Sequence, residues 1–422
     1  MKIKSLLLGS AAALTAVSGA RAADAVVIAE PEPVEYVRVC DAYGAGFFYI
    51  PGTETCLRIS GYVWYQVGTG SDASPLKITP ETDYVLNAKT GLTDPPKGAT
   101  IGGTDTPGAF GRNDDGDEGW YKLTRARVNI DARQETEWGS LRSRIRLQST
   151  WGTPEDGPLS VDQAYIELGG LMMGYSESFW ADSKNGGPSN YGSHSWHGMY
   201  YGYQQRHLIG YRFDGGNGFF GAISLEDDTL SGQGYMPDVV AKIGISQGWG
   251  AVWAKVAYDE SRGGRNVAGL PAFAGYAVPS ATADGWAVQL GAQINVPNMP
   301  GSSLRILGFY ADSDNSYGPG SALGVQPEWS ILASYNHQFS STLGVSVAAQ
   351  YFADLYFPGS SVSTGIDAWG AELSLVWMPV SDFEVRTEIH YDDIGTVPAF
   401  GGSSAFDPDG TVSGYLRFTR YF

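Results

Sequence analysis

Three arginines, Arg142, Arg144 and Arg146, occupy every second position of one short segment, and Arg125 and Arg127 do the same in the segment before it. A guanidinium stays charged at any accessible pH and carries five donors, so a row of them has no acid–base work to do. Its chemistry is to bind anionic groups and to impose a fixed positive potential. Period-two spacing puts each row on one face of a β-strand. The residues between, Ala126, Val128 and Ile130 in one segment and Ser143, Ile145 and Leu147 in the other, are small or apolar. A soluble core has no place for three arginines on one strand face, whereas a strand with water on one side and hydrocarbon on the other does. Arg58, on the polar face of the alternating segment Leu57 to Tyr65, extends the set.

Other reactive side chains are sparse. His194 beside Ser193 and Ser195 is the only arrangement resembling a base and a nucleophile; His197, His207, His337 and His390 have no such neighbour. Adjacency in a glycine-rich stretch does not make a catalytic group, which needs a base that is itself oriented by a third residue, so the chain reads as a non-enzyme. The two cysteines, Cys40 and Cys56, lie in a segment read as exported, where thiols are oxidised, and a single disulfide between them is expected. They cannot build a four-ligand zinc site, no histidine stands at ligand spacing to help them, and no cofactor is implied.

These groups need elements to carry them. Residues 1–22 combine Lys2 and Lys4, an apolar run from Leu6 to Val17, and Ala20-Arg21-Ala22, the pattern of a secretory signal peptide cut before Ala23. Beyond it no run of 18 apolar residues occurs, which excludes spanning helices. Glycine supplies 57 of 422 residues and aromatics 13%, against 17% charged residues, as many short strands and turns require. The net charge of −18 includes three basic leader residues, so the exported chain is more acidic still and nucleic acid is not an expected partner. Acidic residues gather between strands, as at Asp114, Asp115, Asp117 and Glu118 or Asp227 and Asp228. They suit either a solvated surface or divalent-cation bridges to lipopolysaccharide phosphates.

Alternation of apolar with polar or small residues predicts sixteen strands, near 56–68, 119–131, 136–151, 159–168, 171–179, 205–213, 217–226 and 237–246, then near 249–259, 284–296, 302–312, 327–338, 342–354, 365–378, 382–392 and 411–422. Short turns at Gln134-Glu135, Asp214-Gly215-Gly216, Gly248 and Ser340-Ser341 interleave with long links near 69–118, 260–283 and 393–410. An even strand count with alternating short and long connections is the signature of an all-β antiparallel transmembrane barrel. Trp120, Tyr121, Trp249, Trp286, Trp329, Trp369 and Trp377 fall where strands should cross the headgroup level. The expected organisation is a leader (1–22), an N-terminal periplasmic or lumenal segment (23–55) tied to the first strand by the disulfide, and a barrel (56–422).

The segment Val39 to Val63, VCDAYGAGFFYIPGTETCLRISGYV, and the opening MKIKSLLLGSAAAL closely resemble the alphaproteobacterial general porins of Brucella and rhizobia. Further similarity lies in AYIELGG (Ala164 to Gly170), GGNGFFGAISLE (Gly215 to Glu226), GYMPDVVAKI (Gly234 to Ile243) and GWGAVWAKVAYD (Gly248 to Asp259). The resemblance implies an outer-membrane homotrimer of sixteen-stranded barrels that passes small hydrophilic solutes and ions, with the third outer loop folded into the lumen. By that resemblance the link Phe179 to Gln205 is the constricting loop, and Glu177 and Asp182 would face the arginines across a narrow aqueous gap. A bland alternative pairs these carboxylates with Lys184 and the arginines with Glu167, Glu384 or Glu388. A rival function, an adhesin or structural barrel plugged by residues 23–55, would differ in having no open lumen.

Overall fold

The computed structural model describes residues 38–69, 120–152, 157–182, 192–227, 236–260, 284–321, 326–357, 360–396 and 410–422. The proposed leader and residues 23–37, the acidic stretch around Asp114, and Lys184 and Asp228 lie outside these residues, as does the Trp120 side chain. Everything described below falls in one compact unit, Val39–Phe422.

Sixteen strands alternate in direction: β2 (Cys56–Thr69), β3 (Trp120–Thr136), β4 (Gly139–Gly152), β5 (Ser160–Leu168), β6 (Leu171–Glu177), β7 (Gln205–Gly216), β8 (Phe219–Asp227) and β9 (Asp238–Gln247), followed by β10 (Gly250–Asp259), β11 (Gly285–Asn295), β12 (Ser303–Ala311), β13 (Pro327–Ser340), β14 (Leu343–Leu355), β15 (Ala368–Val380), β16 (Phe383–Ile394) and β17 (Thr411–Tyr421). Each pairs with the next, and β17 pairs back onto β2 from Gly414↔Thr69 to Tyr421↔Tyr62, closing the ring. Closure removes every free edge, so the backbone groups of the spanning strands are satisfied in hydrocarbon. No described helix is long and apolar enough to cross a membrane.

The alternation seen in the sequence is the alternation of burial. Along β10, Trp253, Lys255, Ala257 and Asp259 are buried, and Val252, Val256 and Tyr258 are exposed. The same sorting leaves Ile59, Val63 and Tyr65 of β2 and Ile145 of β4 on the outside. Trp286, Tyr310 and Trp329 form a row of tilted rings at one end of the wall, with ring centroids 5.0 and 4.4 Å apart, and Trp138, Trp249, Phe339 and Trp377 are exposed at the other. Such belts hold amphipathic rings at the two headgroup levels.

Two of the expected turns fall elsewhere. Gln134 and Glu135 continue β3, and the chain reverses at Glu137-Trp138, because Gly139 (φ 101°) supplies the positive dihedral that the earlier pair lacks. The reversal expected at Asp214-Gly215-Gly216 occurs at Asn217-Gly218, both at positive φ (49° and 80°), the pair favoured in two-residue hairpins. A side chain at Gly218 is excluded, since its Cβ would lie 1.9 Å from the Ser246 carbonyl oxygen.

One strand was not anticipated. β1 (Phe48–Tyr49) pairs with the start of β2, next to the disulfide Cys40–Cys56, whose Cα atoms are 5.9 Å apart. Cys40, Phe47 and Cys56 form a small buried cluster flanked by Tyr43 and Tyr49. Arg58 and Arg133 lie over the Phe47 ring at 4.9 and 5.2 Å, so residues 39–55 pack against the barrel at its short-turn end. Arg420, which interrupts the apolar positions of β17, sits at the same end and meets Asp382 at 3.6 Å.

Candidate pore lining

The inward faces of β3 and β4 hold most of the arginines singled out above, and β5 supplies the carboxylates Asp162 and Glu167. Asp131 organises them. It is 1% exposed and receives Arg142 at 2.8 Å, Arg133 at 2.9 Å and Arg144 at 3.4 Å. Arg142 also reaches Glu167 at 3.1 Å, and Arg144 donates to Asn129. Arg146 bonds Asp162 at 3.0 Å and Glu177 at 3.2 Å. Arg127 donates to Gln148 and stands 3.6 Å from Asp162, and Arg125 donates to Thr150 at 2.8 Å. Arg58, opposite Asp131 in the β2–β3 register, covers Phe47 instead of joining an ion pair with these carboxylates. Guanidinium stems lie over aromatic faces in several of these positions, with Arg125 over Trp64 at 5.2 Å and Arg127 over Tyr62 at 5.1 Å. Stacking of this kind fixes a planar cation without neutralising it.

Glu177 and Asp182 part company. Glu177 ends β6 and stays level with Arg146, its ion-pair partner. Asp182 follows a turn held by bonds from the amides of Ala181 and Asp182 to the Ser178 carbonyl. That turn carries its carboxylate away from the β3–β4 arginines to Arg212 at 2.5 Å, with Lys242 at 3.7 Å. Lys242 and Lys255, partners in the β9–β10 register, donate to the backbone oxygens of Asp182 and Trp180 at 2.8 and 2.6 Å. These lysines occupy inward positions that the period-two rule assigns. What one sequence cannot show is that the same segment would lie against them.

The link from β6 to β7 combines an apolar anchor with polar tethers. Phe179 and Trp180 are fully buried and cluster with Met172, Leu208, Val240 and Trp253. Farther along, Gly192 and Ser193 accept Arg305 through their carbonyls at 2.6 and 3.0 Å. His194 places Nδ1 2.7 Å from Ser334 and Nε2 2.8 Å from Ser303. The amides of Trp196 and Tyr200 donate to Glu388 at 2.7 Å and Gln350 at 3.0 Å. The Trp196 ring receives Arg417 at 5.0 Å and Arg386 at 6.0 Å.

Both ring nitrogens of His194 are therefore engaged by serines of the barrel wall, and Ser195 donates to Glu372 at 2.8 Å. Burial, and secondarily the Arg305 charge, pushes the His194 ring down to about 3. It does not bond Ser193 or Ser195 as a catalytic base would. Glu384 and Glu388, considered as partners for the β3–β4 arginines, pair with Arg386 instead at 2.8 and 3.1 Å.

The model describing the porin subfamily matches residues 24–407. Porin Omp2b of Brucella suis biovar 1 (strain 1330) is 31% identical over 459 aligned residues, covering the whole of both chains. Porin Omp2b of Brucella neotomae is 39% identical over 288 residues, 61% of this chain and 66% of that one. Among solved structures, the outer-membrane channel DcaP of Acinetobacter baumannii superposes with a TM-score of 0.56 at 13% identity, covering 89% of this chain and 99% of its own. Outer-membrane expressed OmpT of Vibrio cholerae gives 0.51 at 11%, covering 88% and 99%. The structural likenesses speak for the barrel alone, and the sequence match speaks for the family: this chain belongs to the porin subfamily and is a β-barrel porin of the Gram-negative outer membrane.

Proposed function

We propose that the barrel is a passive diffusion pore for small hydrophilic solutes and ions, narrowed by the link between β6 and β7 and polarised by the arginines of β3 and β4. The observation that carries this reading is the set of bonds from residues 192–200 of that link to inward side chains of β12, β13, β14 and β16. A surface loop would have no reason to reach them. Arg125, Arg127, Arg142, Arg144 and Arg146 then form one charged wall, with Arg58 near the turn-side mouth. Glu177 meets this wall directly, and Asp182 acts beside it through Arg212 of β7 and Lys242 of β9. A gap crossed by fixed charges of both signs orients dipolar solutes and admits both ion types. We further propose that residues 39–55 are a periplasmic strap tied by the disulfide, that residues 1–22 are a cleaved leader, and that the chain carries out no catalysis. The working unit is a homotrimer whose acidic outer loops meet lipopolysaccharide through divalent cations.

Planar-bilayer recording of the purified full-length protein tests the pore. The expected record is ohmic, with conductance arriving in triplets. Neutralising Arg144 (Arg144→Gln) should raise the cation-to-anion permeability ratio, and neutralising Glu177 (Glu177→Gln) should lower it. The size is bounded by the interaction of unit charges across 4 Å of water, ~1 kcal/mol, or roughly fivefold. Folded protein that inserts without conducting would identify a plugged structural or adhesive barrel.

A further inference from the structure

Where the β6–β7 link passes β15 and β16, three metal-binding side chains converge. His197 lies in the link, Glu372 in β15 and His390 in β16, and one candidate ligand atom from each lies within 4.8 Å of the other two. Glu372 and His390 are buried, and His197 is exposed, so an ion can arrive from one side of the group. The His197 and His390 rings stand 4.6 Å apart between centroids.

One buried carboxylate oxygen of the cluster, Glu372 Oε1, has no hydrogen-bond partner among the described residues. Buried polar atoms of native proteins are normally satisfied, and an absent ion is one of the ordinary explanations when they are not. The surroundings are also short of positive charge. Arg386 is engaged by Glu384 and Glu388, so among the described residues the one basic side chain in ion-pair range of the buried Glu372 carboxylate is His390 itself, at 3.6 Å.

We propose that His197, Glu372 and His390 bind a divalent transition cation of the zinc, copper or nickel class, which fastens the link to the barrel wall. Two imidazoles and a carboxylate suit these ions, while magnesium and calcium prefer all-oxygen sets. Zinc bound at roughly 2.0–2.2 Å holds tetrahedral ligands about 3.3 Å apart, so the group must close by at most about 1.5 Å on loading. His197 is placed to make that movement, being exposed and carried by a connecting segment. The second layer is already in position. The Ser195 hydroxyl donates to Glu372 Oε2 at 2.8 Å, and Glu388 Oε2 lies 3.6 Å from His390 Nε2 and accepts the His197 amide at 3.2 Å. With the ion between His390 Nδ1 and Glu372, Glu388 braces the ring from its far nitrogen, the arrangement that orients metal-bound histidines.

The cluster was invisible in the sequence because its members are separated by 175 and 18 positions and no short motif joins them.

The test reads metal directly and does not depend on conductance, so it can fail while the pore stands, and the reverse. Purified full-length protein and the variants His197→Asn, Glu372→Gln and His390→Gln, each confirmed as a heat-modifiable barrel, are titrated with zinc chloride by calorimetry and equilibrium dialysis. One ion per chain is expected in the parent, with affinity at least about tenfold weaker in every variant and unaltered in the remote control His337→Asn. Copper(II) in place of zinc should give a paramagnetic resonance spectrum with two imidazole nitrogens, reduced to one in His197→Asn. That substitution lies outside the strands, so it reports even if a wall variant fails to assemble. No zinc uptake by the parent, or equal affinity in His197→Asn, overturns the site.

Discussion

Asp131 decides how the arginines of β3 and β4 are held. Three guanidinium groups share its two oxygens; the carboxylate is buried at 1% exposure, while the guanidinium side chains are 13–25% exposed. Breaking a buried pair by removing one partner leaves uncompensated charge, a loss of up to about 3–5 kcal/mol that water reaching these arginines reduces. Asp131→Asn is accordingly expected to lower the urea midpoint of the folded barrel clearly, whereas Arg125→Gln, whose main tie is to the neutral Thr150 hydroxyl, should lower it far less. His194 makes a second prediction at this scale. Seated between Ser303 and Ser334, its ring is pushed down to about 3 by burial and by Arg305, while a released ring would take a proton near its ordinary 6.5. The released form binds more protons between these values, so the seating contributes in full above about 6.5 and is lost as pH falls towards 3. Open-channel current noise should grow on acidification through that window and depend less on pH in His194→Asn. A parent whose noise is flat from pH 7 to pH 4 contradicts the assignment.

Each strand is a two-sided element, and the two sides tolerate different changes. In β10, Val256 is 46% exposed and faces lipid midway along the strand, and Lys255 beside it is buried with its amine on the Trp180 carbonyl. An arginine at Val256 should destabilise the barrel by about 2–4 kcal/mol in a lipid-vesicle unfolding assay, the penalty for a basic group at the midplane. A basic group one residue earlier already belongs to the native wall. This dependence on parity is why so much of the wall could be read from the chain. Period-two alternation reports the face directly, and it located all sixteen strands to within a few residues. Turns were harder, since Glu137-Trp138 has none of the usual turn residues and is set by Gly139 beyond it. The partners of inward charges were hidden for another reason. Strand pairing is local in sequence, but Asp182 meets Lys242, and Trp196 meets Glu388, across 60 and 192 positions of chain. Periodicity carries no information about distances across a closed wall.

At the scale of the whole molecule, the interior is divided unevenly. The β6–β7 link lays Phe179, Trp180 and Tyr201 against an apolar cluster that includes Val240, Trp253, Leu307 and Leu332. The link is thus seated by hydrophobic contact on one flank and by polar tethers on the other. Loosening it requires giving up both kinds of contact, which act together as one cooperative unit.

The seam between β17 and β2 sets the order of events during biogenesis. Arg417 donates to Gln66 across 351 positions of chain, so the last pairing of the ring joins segments made at opposite ends of synthesis. Loop-closure entropy of that length makes spontaneous sealing slow. Until it occurs, two sticky margins remain open to any neighbouring polypeptide. A chain of this design needs an escort through the periplasm and a catalyst at the membrane. Its most dangerous moment is the interval between the arrival of its first hairpin and that of its final strand.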